Sequence, residues 1–110
     1  MSFKVIPTSE FKKLFKKLYK KYPTLKKDLS EIIDTISEDP STGIALGYNL
    51  YKIRMAISSK GKGKSAGARV ITYVVTEDQE VYLVHIYDKS KLDNLSKDQI
   101  LESLKKAGLI

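Results

Sequence analysis

Three consecutive runs of strand-forming residues constrain the fold more than any other feature of the chain. In residues 50–58 apolar and polar side chains alternate, which predicts a strand with one buried face. Residues 68–76 and 80–88 are rich in Val, Ile, Leu and Tyr, and only residues 77–79 separate them. Consecutive strands with short connections predict an antiparallel meander.

Two amphipathic helices are predicted to precede the meander. Thr8 or Ser9 is suited to cap the first helix, and Pro23 ends it. Thr24 is suited to cap the second, which the Asp-Pro pair at 39–40 terminates. The short connection predicts a helical hairpin whose apolar stripes pack on each other and on the sheet. The stripes comprise Phe11, Leu14, Phe15, Leu18, Tyr19 and Tyr22 in the first helix, and Leu25, Leu29, Ile32, Ile33 and Ile36 in the second.

The remaining segments add an edge strand and a short helix. Residues 2–6 suit an edge strand because a proline closes them, and residues 41–49 are predicted to be a loop. Ser96 and Gln99 form a capping-box signature at the start of a C-terminal helix. Residues 1–110 are therefore predicted to be a single α+β domain. Its antiparallel β-sheet (edge strand plus three-stranded meander) packs against an N-terminal helical hairpin, with a short C-terminal helix.

A long stretch of the chain is basic and contains no acidic residue. No Asp or Glu occurs between Asp39 and Glu77, and the formal net charge of the whole chain is +7. A surface that presents cations alone attracts phosphate groups, so the charge predicts a nucleic acid or an acidic protein as partner. The cations of this stretch are Lys52, Arg54, Lys60, Lys62, Lys64 and Arg69.

Several classes of enzyme do not fit the composition. The chain has no cysteine and a single histidine, His85, which lies in a strand-like run and is interpreted as structural. The Gly63-Lys64-Ser65 piece is not the phosphate-binding loop of a nucleotide hydrolase, because a strand rather than a helix follows it. The acidic residues show no spacing typical of a metal nuclease. We therefore expect neither a cofactor nor a metal.

The hydropathy of the chain predicts no association with a membrane. No apolar run approaches the roughly 20 residues that are needed to cross a bilayer. The first residues lack the apolar core of a signal peptide. The expected location is the cytoplasm.

RNA offers a route to cleavage without a metal, because its own 2′-OH can attack the adjacent phosphorus. Arg54 or Arg69 is suited to align the phosphate and offset its developing negative charge. A lysine such as Lys52 can act as a base if crowding lowers its pKa. Tyr73 and Tyr87 are suited to stack on a base or donate a proton. Lys60, Lys62 and Lys64 are expected to lie on a mobile glycine-rich loop and to strengthen RNA binding without taking part in the chemistry.

Three segments together resemble a known family. They are LYKIRMAISSKGKGKSAGARVITYVV at residues 50–75, VYLVHIYDKSK at 81–91 and NLSKDQI at 94–100. They resemble the RelE/ParE/HigB superfamily of toxin–antitoxin toxins, and the HigB-like and RelE-like members in particular. The resemblance implies a small α+β fold with an antiparallel sheet against a helical hairpin. It also implies ribosome-dependent mRNA cleavage that inhibits translation, and neutralisation by a cognate antitoxin.

The same resemblance suggests which residues form the catalytic site. The family has a basic strand, an arginine at the start of the next strand, and basic or aromatic groups near the end of the last strand. This chain departs from a RelE-type pattern at Ser90, where that pattern has an arginine. The assignment of general acid and general base is therefore left open. The matching residues are Lys52, Arg54, Arg69, Tyr87 and Lys89.

Two other functions stay open alongside an endoribonuclease toxin. One is a ParE-like toxin of the same fold that inhibits DNA gyrase without cleaving nucleic acid. The other is a basic RNA-binding module, or a toxin relic without activity. For a toxin, the positive charge predicts an acidic, partly disordered antitoxin that covers the basic sheet face or displaces the C-terminal segment.

Overall fold

The computed structural model describes residues 2–61, 63, 66–92 and 94–110. The protein has a five-stranded β-sheet with helices on both faces. The strands are β1 (Lys4–Pro7), β2 (Ile44–Gly47), β3 (Leu50–Met55), β4 (Ala68–Val75) and β5 (Glu80–Asp88). The helices are α1 (Ser9–Lys21), α2 (Leu25–Glu38) and α3 (Lys97–Lys106). None of the helices in these described ranges is long and apolar enough to span a membrane.

The strand order in the sheet is β1-β5-β4-β3-β2. The predicted meander is confirmed, since β3 pairs antiparallel with β4 and β4 antiparallel with β5. The edge strand is also confirmed, but it runs parallel to β5, with Lys4 opposite Glu80. The sheet is therefore mostly, not wholly, antiparallel.

The prediction of a loop over residues 41–49 is wrong, because β2 lies within it. This strand pairs antiparallel with β3 and forms the second edge of the sheet. Tyr48 and Asn49 form the turn between the two strands, with φ angles of 55° and 63°. Two-residue hairpin turns of this hand need positive φ at both positions. With only four residues, one of them glycine, the strand has no alternating pattern that distinguishes it from a loop.

The helical hairpin packs on one face of the sheet, as predicted. Thr8 caps α1, because its side chain accepts a hydrogen bond from the Phe11 amide. Phe11, Leu25 and Ile36 are almost fully buried against apolar residues of the sheet. This hairpin-side core contains Phe11, Tyr22, Leu25, Leu29, Ile36, Ile53, Met55, Ile57, Ala68, Val70, Val74, Val81, Leu83 and Ile86.

The α3 helix and the segment before it cover the opposite face of the sheet. The predicted capping box is present: the Gln99 amide donates to Ser96 Oγ at 3.1 Å, and the Ser96 amide donates to Gln99 Oε1 at 2.9 Å. Because β4 and β5 are covered on both sides, their sequences are apolar throughout rather than alternating. The α3-side cluster contains Leu50, Ile71, Val84, Tyr87, Leu95, Ile100 and Leu104.

A buried carboxylate joins α2 to the segment after β3. Asp28 is 5% exposed, and it accepts hydrogen bonds from the amide and the hydroxyl of Ser58 at 2.9 and 2.5 Å. Thr24 lies at the start of α2, as predicted, but its side chain makes no capping hydrogen bond. Its hydroxyl instead donates to Asp28 and accepts from the Ser59 amide. The start of the glycine-rich loop is thus held against the hairpin.

Candidate functional site

Three of the predicted site residues form a row across the sheet. Arg54 on β3 lies directly opposite Arg69 on β4, and Arg69 lies directly opposite Tyr87 on β5. Cα atoms of residues paired in this way are about 4.5–5.5 Å apart. Since side chains alternate between faces along a strand, all three lie on the α3 side of the sheet with Leu50 and Ile71. The register thus places two guanidinium groups and a phenol next to one another.

Arg69 is more buried than the sequence suggested. It was predicted to be a cation on the solvent face, but it is 5% exposed. The reason is that α3 and the preceding segment pack on this face, and the sequence did not indicate which face of the sheet this helix covers. Its Nη1 donates a hydrogen bond to the Ala68 carbonyl at 3.1 Å. Arg54 is exposed, so the row runs from solvent into the interior.

The Tyr87 hydroxyl is buried without a hydrogen bond of normal geometry to any residue that the structure describes. The side chain is 6% exposed. Burial raises the pKa of Tyr87, although the nearby Arg69 guanidinium and the backbone of Leu95 oppose this shift. A buried polar group without a partner costs stability, which is a reason to look for a ligand. At neutral pH this phenol carries a proton that it can donate.

Lys52 and Tyr73 lie on the same face, beside the row. Lys52 is two residues from Arg54, which corresponds to about 6.5–7 Å along the strand. Its Nζ lies 3.4 Å from Asn94 Oδ1. Tyr73 is partly buried against the α3-side cluster and stands opposite Leu50.

Lys89 follows directly after β5, and its backbone ties the end of that strand to the turn before β4. The Lys89 amide donates to the Gly67 carbonyl at 3.0 Å. A Cβ at Gly67 would stand 2.0 Å from the Met55 carbonyl oxygen, so glycine alone fits this close approach. The end of β3, the start of β4 and the end of β5 therefore lie close together.

Lys60 does not lie where the sequence suggested. Its ammonium donates to Asp88 Oδ1 at 3.0 Å, to the Ala66 carbonyl at 2.9 Å and to Ser90 Oγ at 3.2 Å. The side chain is 13% exposed and lies over the Tyr22 ring. These contacts hold Lys60 in place and leave little of its charge for RNA. Lys62 and Lys64, the other two predicted loop contacts, lie outside the described residues.

Asp88 is the centre of this group and was not singled out from the sequence. It is 3% exposed and accepts hydrogen bonds from Tyr22, Lys60 and Ser90. Burial acts against its charged form, but these donors outweigh it and hold the pKa of Asp88 far below its usual range. The same contacts raise the pKa of Lys60 despite its burial. The available signal was the Asp-Lys-Ser order, since Asp commonly bonds the backbone two residues on, as the Ser90 amide shows at 3.0 Å.

His85 stands apart from the arginine row, opposite Ile71. Its Nε2 is 3.9 Å from Glu10 Oε1, and its Nδ1 is buried without a partner among the described residues. Burial lowers the pKa of His85, while Glu10 acts in the opposite direction. In the ranges 2–61, 63, 66–92 and 94–110, no group of three or more His, Asp or Glu side chains is placed to hold a metal ion.

The chain matches a family model described as the RelE toxin of the RelE/RelB toxin–antitoxin system over residues 10–109. Its fold is similar to a solved structure of a double mutant of E. coli toxin RelE in the free state. The two chains are 17% identical with a TM-score of 0.66, and the match covers 96% of this chain and 98% of that one. At this identity the structural match shows a common fold, whereas the family match extends over nearly the whole sequence.

Proposed function

Because the chain belongs to the RelE family of toxins from toxin–antitoxin systems, we propose that it is an endoribonuclease that cleaves mRNA on the ribosome. One observation carries the proposal: the Arg54–Arg69–Tyr87 row, in which two cations adjoin a buried phenol that has no hydrogen bond of normal geometry to a described residue. A phosphodiester offers negatively charged oxygens to the guanidinium groups and an acceptor oxygen to the phenol.

The chemistry uses the 2′-OH of the RNA as nucleophile. Its oxygen forms a bond to the adjacent phosphorus as its proton passes to a base, and the bond between phosphorus and the 5′ oxygen breaks. The leaving 5′ oxygen takes up a proton, so the products are a 2′,3′-cyclic phosphate and a 5′-hydroxyl end. Charge builds up on the phosphoryl oxygens during this step, and fixed cations stabilise that charge. No metal is needed in this scheme.

Each residue of the row has a distinct role. Arg69 is preorganised by burial, so it stabilises the charge on the phosphoryl oxygens, and the exposed Arg54 binds the incoming phosphate. Tyr87 donates the proton to the leaving oxygen, because its phenol is protonated at neutral pH and stands next to Arg69 in the row. Lys52 and Lys89 complete the positive charge around the phosphate, and Tyr73 adds an aromatic surface beside them.

The family implies an antitoxin partner. For this chain, we propose that the antitoxin is acidic and binds the α3 side of the sheet in the cytoplasm. The net charge of +7 favours fast association with an acidic protein. The arginine row, Lys52 and Tyr73 share that face with α3, so a partner bound there blocks access of RNA to them.

The proposal is tested by incubating the purified protein with ribosomes that carry a defined mRNA and mapping the new ends. We expect cuts that leave 5′-hydroxyl ends. A 2′-deoxy substitution at the cut nucleotide should stop cleavage, because it removes the nucleophile. New 5′-phosphate ends, or cuts that survive the deoxy substitution, would contradict 2′-OH attack. Growth arrest with intact mRNA and lost DNA supercoiling would point instead to gyrase.

A further inference from the structure

The turn between β2 and β3 does not explain why residue 48 is a tyrosine. It is 69% exposed, the largest exposure among the large apolar side chains of the described residues. Its φ angle is 55°, a conformation that bulky residues rarely adopt. Asn or Gly is the usual choice in such a hairpin turn, and Asn49 fits that preference. An aromatic ring therefore stands in solvent on a strained backbone, and such strain is a reason to look for a function.

The surroundings of the ring are suited to a nucleotide. The Lys97 ammonium lies 4.7 Å from the centroid of the Tyr48 ring. Lys97 also lines a groove of about 150 Å³ between β2, β3 and the start of α3, together with Lys52 and Asn94. The floor is apolar, and none of the described residues that line the groove is acidic. The apolar lining residues are Leu46, Leu50, Ile71, Leu95 and Ile100.

The size and the charge of this groove indicate which kind of ligand it can bind. Ligand pockets usually measure roughly 300 Å³ or more, so this groove suits one planar base rather than a larger ligand. Lys52 and Lys97 supply cations for the attached phosphates. The Asn94 side chain offers both a donor and an acceptor to a base edge. An acidic peptide would satisfy the lysines, but it would make no particular use of an exposed aromatic face.

We propose that Tyr48, Lys97 and the adjoining groove bind one unpaired base of the RNA substrate, with the base stacked on the tyrosine ring. This inference rests on RNA being the substrate, as in the proposed function. Lys52 lines the groove and lies two residues from Arg54 of the arginine row. Tyr48 is four residues from Lys52, so their Cα atoms are at most about 14 Å apart. The subsite thus holds a nucleotide close to, but not at, the phosphate that is cut.

The test measures binding separately from cleavage. The probe is a short single-stranded RNA with 2′-O-methyl groups throughout, which cannot be cut by 2′-OH attack, and the readout is fluorescence anisotropy at low salt. We expect Tyr48→Asn to weaken binding by about 5- to 150-fold, the range for loss of one base–aromatic stack. Tyr48→Phe keeps the ring and should bind like the wild type. Since asparagine suits the positive φ, the Asn variant should melt no lower than the wild type.

Tyr19 provides a matched control, because it is the other tyrosine with an exposed side chain among the described residues. It lies on α1, on the hairpin side of the sheet. Tyr19 is 41% exposed and stacks on Phe15. Tyr19→Asn should leave RNA affinity unchanged. The chain has no tryptophan, so Tyr48→Trp and Tyr19→Trp also provide single reporters. The probe should quench the fluorescence of the first and not of the second.

Three results would overturn the subsite. They are equal affinity of the wild type and Tyr48→Asn, equal quenching of both tryptophan reporters, and no binding of the probe by the wild type at low salt. A Tyr48→Asn variant that binds RNA normally but binds an acidic antitoxin weakly would show that the ring serves a protein partner. Cleavage of unmodified mRNA on ribosomes is measured in a separate assay that does not use this probe. The subsite can therefore fail with the nuclease intact, and the nuclease can fail with the subsite intact.

Discussion

The Lys60 ammonium and the Asp88 carboxylate form an ion pair of 3.0 Å, with side-chain exposures of 13% and 2%. Asp88 immediately follows Tyr87 on β5, so the two side chains lie on opposite faces of the sheet. The ion pair fixes the end of β5 on the hairpin side, which in turn fixes Tyr87 on the α3 side. An ion pair on the hairpin side of the sheet thus positions a residue of the proposed catalytic row on the other side.

Removing one partner of this ion pair should destabilise the protein. We expect Lys60→Met to lower the free energy of unfolding by about 3 kcal/mol, because Asp88 is left charged and buried. The measurement is urea unfolding. Lys60→Met/Asp88→Asn should recover part of the loss, because neither buried charge remains. Equal stability of the wild type and Lys60→Met would show that the pair contributes nothing to the fold.

Lys62 and Lys64 serve as the comparison for that variant, since their predicted role is in RNA binding alone. Neutralising both should leave the unfolding free energy unchanged. It should reduce the slope of log affinity against log salt by about 1.4, the value for two phosphate contacts on a single strand. A collapse of single-turnover cleavage at saturating RNA would instead assign these lysines to the chemistry.

Asp88 should make the stability of the protein sensitive to acid. Its pKa is lower in the folded protein than the ordinary value of 3.8, so the unfolded chain binds more protons at low pH. The stabilisation is complete above that ordinary value and declines as the pH falls below it. We expect the melting temperature to drop below about pH 4, and to drop less steeply in Asp88→Asn. Parallel curves for the two proteins between about pH 2 and 7 would contradict this assignment.

Tyr87→Phe should affect stability and cleavage in opposite directions. The variant loses a buried hydroxyl that has no hydrogen bond of normal geometry to a described residue, so its stability should stay equal or rise by up to about 1 kcal/mol. Cleavage should fall by about 10²- to 10⁴-fold if the phenol protonates the leaving oxygen. Single-turnover cleavage and thermal melting measure the two effects. A stable variant with wild-type cleavage would remove Tyr87 from the mechanism.

Arg69→Lys keeps the charge of the buried row but loses the planar fork of donors. We expect a loss of about 10²- to 10³-fold in cleavage rate, because a single ammonium does not reproduce the contacts of a guanidinium with the phosphoryl oxygens. Arg69→Ala should abolish cleavage and growth arrest. Circular dichroism and melting temperature separate this loss from unfolding. A folded Arg69→Ala protein that cuts mRNA normally would mean that Arg54 carries the charge stabilisation alone.

Binding of the antitoxin should protect the α3 side of the protein from hydrogen exchange. We expect the largest changes in residues 50–73 and 96–110, because β3, β4 and α3 form that face. The amides of α1 and α2 should change little, since these helices lie on the other side. Protection confined to α1 would show that neutralisation acts through its lysine-rich surface instead.

Local patterns predicted the parts of the fold whose cause is local. The alternation in residues 50–58 gave the faces of β3, and Tyr51, Ile53 and Met55 do lie on the hairpin side. The capping box of Ser96 and Gln99 could be predicted from the sequence because both partners lie within one helical turn. Apolar spacing located the hairpin stripes, although Tyr19 lies at their exposed margin.

The sequence could not show contacts between residues that are far apart in the chain. The burial of Asp28 could not be predicted, because two of its hydrogen bonds come from Ser58, 30 residues away. Lys60 looked like a mobile cation, but Asp88 is 28 residues away. The parallel pairing of β1 and the cover on Arg69 likewise depend on distant segments. For the site, the residue types were predictable from the basic stretch and the resemblance, whereas their burial and register required the fold.

The pairing of β1 with β5 also has a consequence for how the protein is made. β1 lies at the start of the chain, and its partner strand begins only at Glu80. Synthesis proceeds from the N-terminus, so β1 and the hairpin must wait for β5 before the sheet is complete. Tyr87, the last member of the row, belongs to that same late strand. A nascent chain therefore has no assembled Arg54–Arg69–Tyr87 row until β5 has been synthesised.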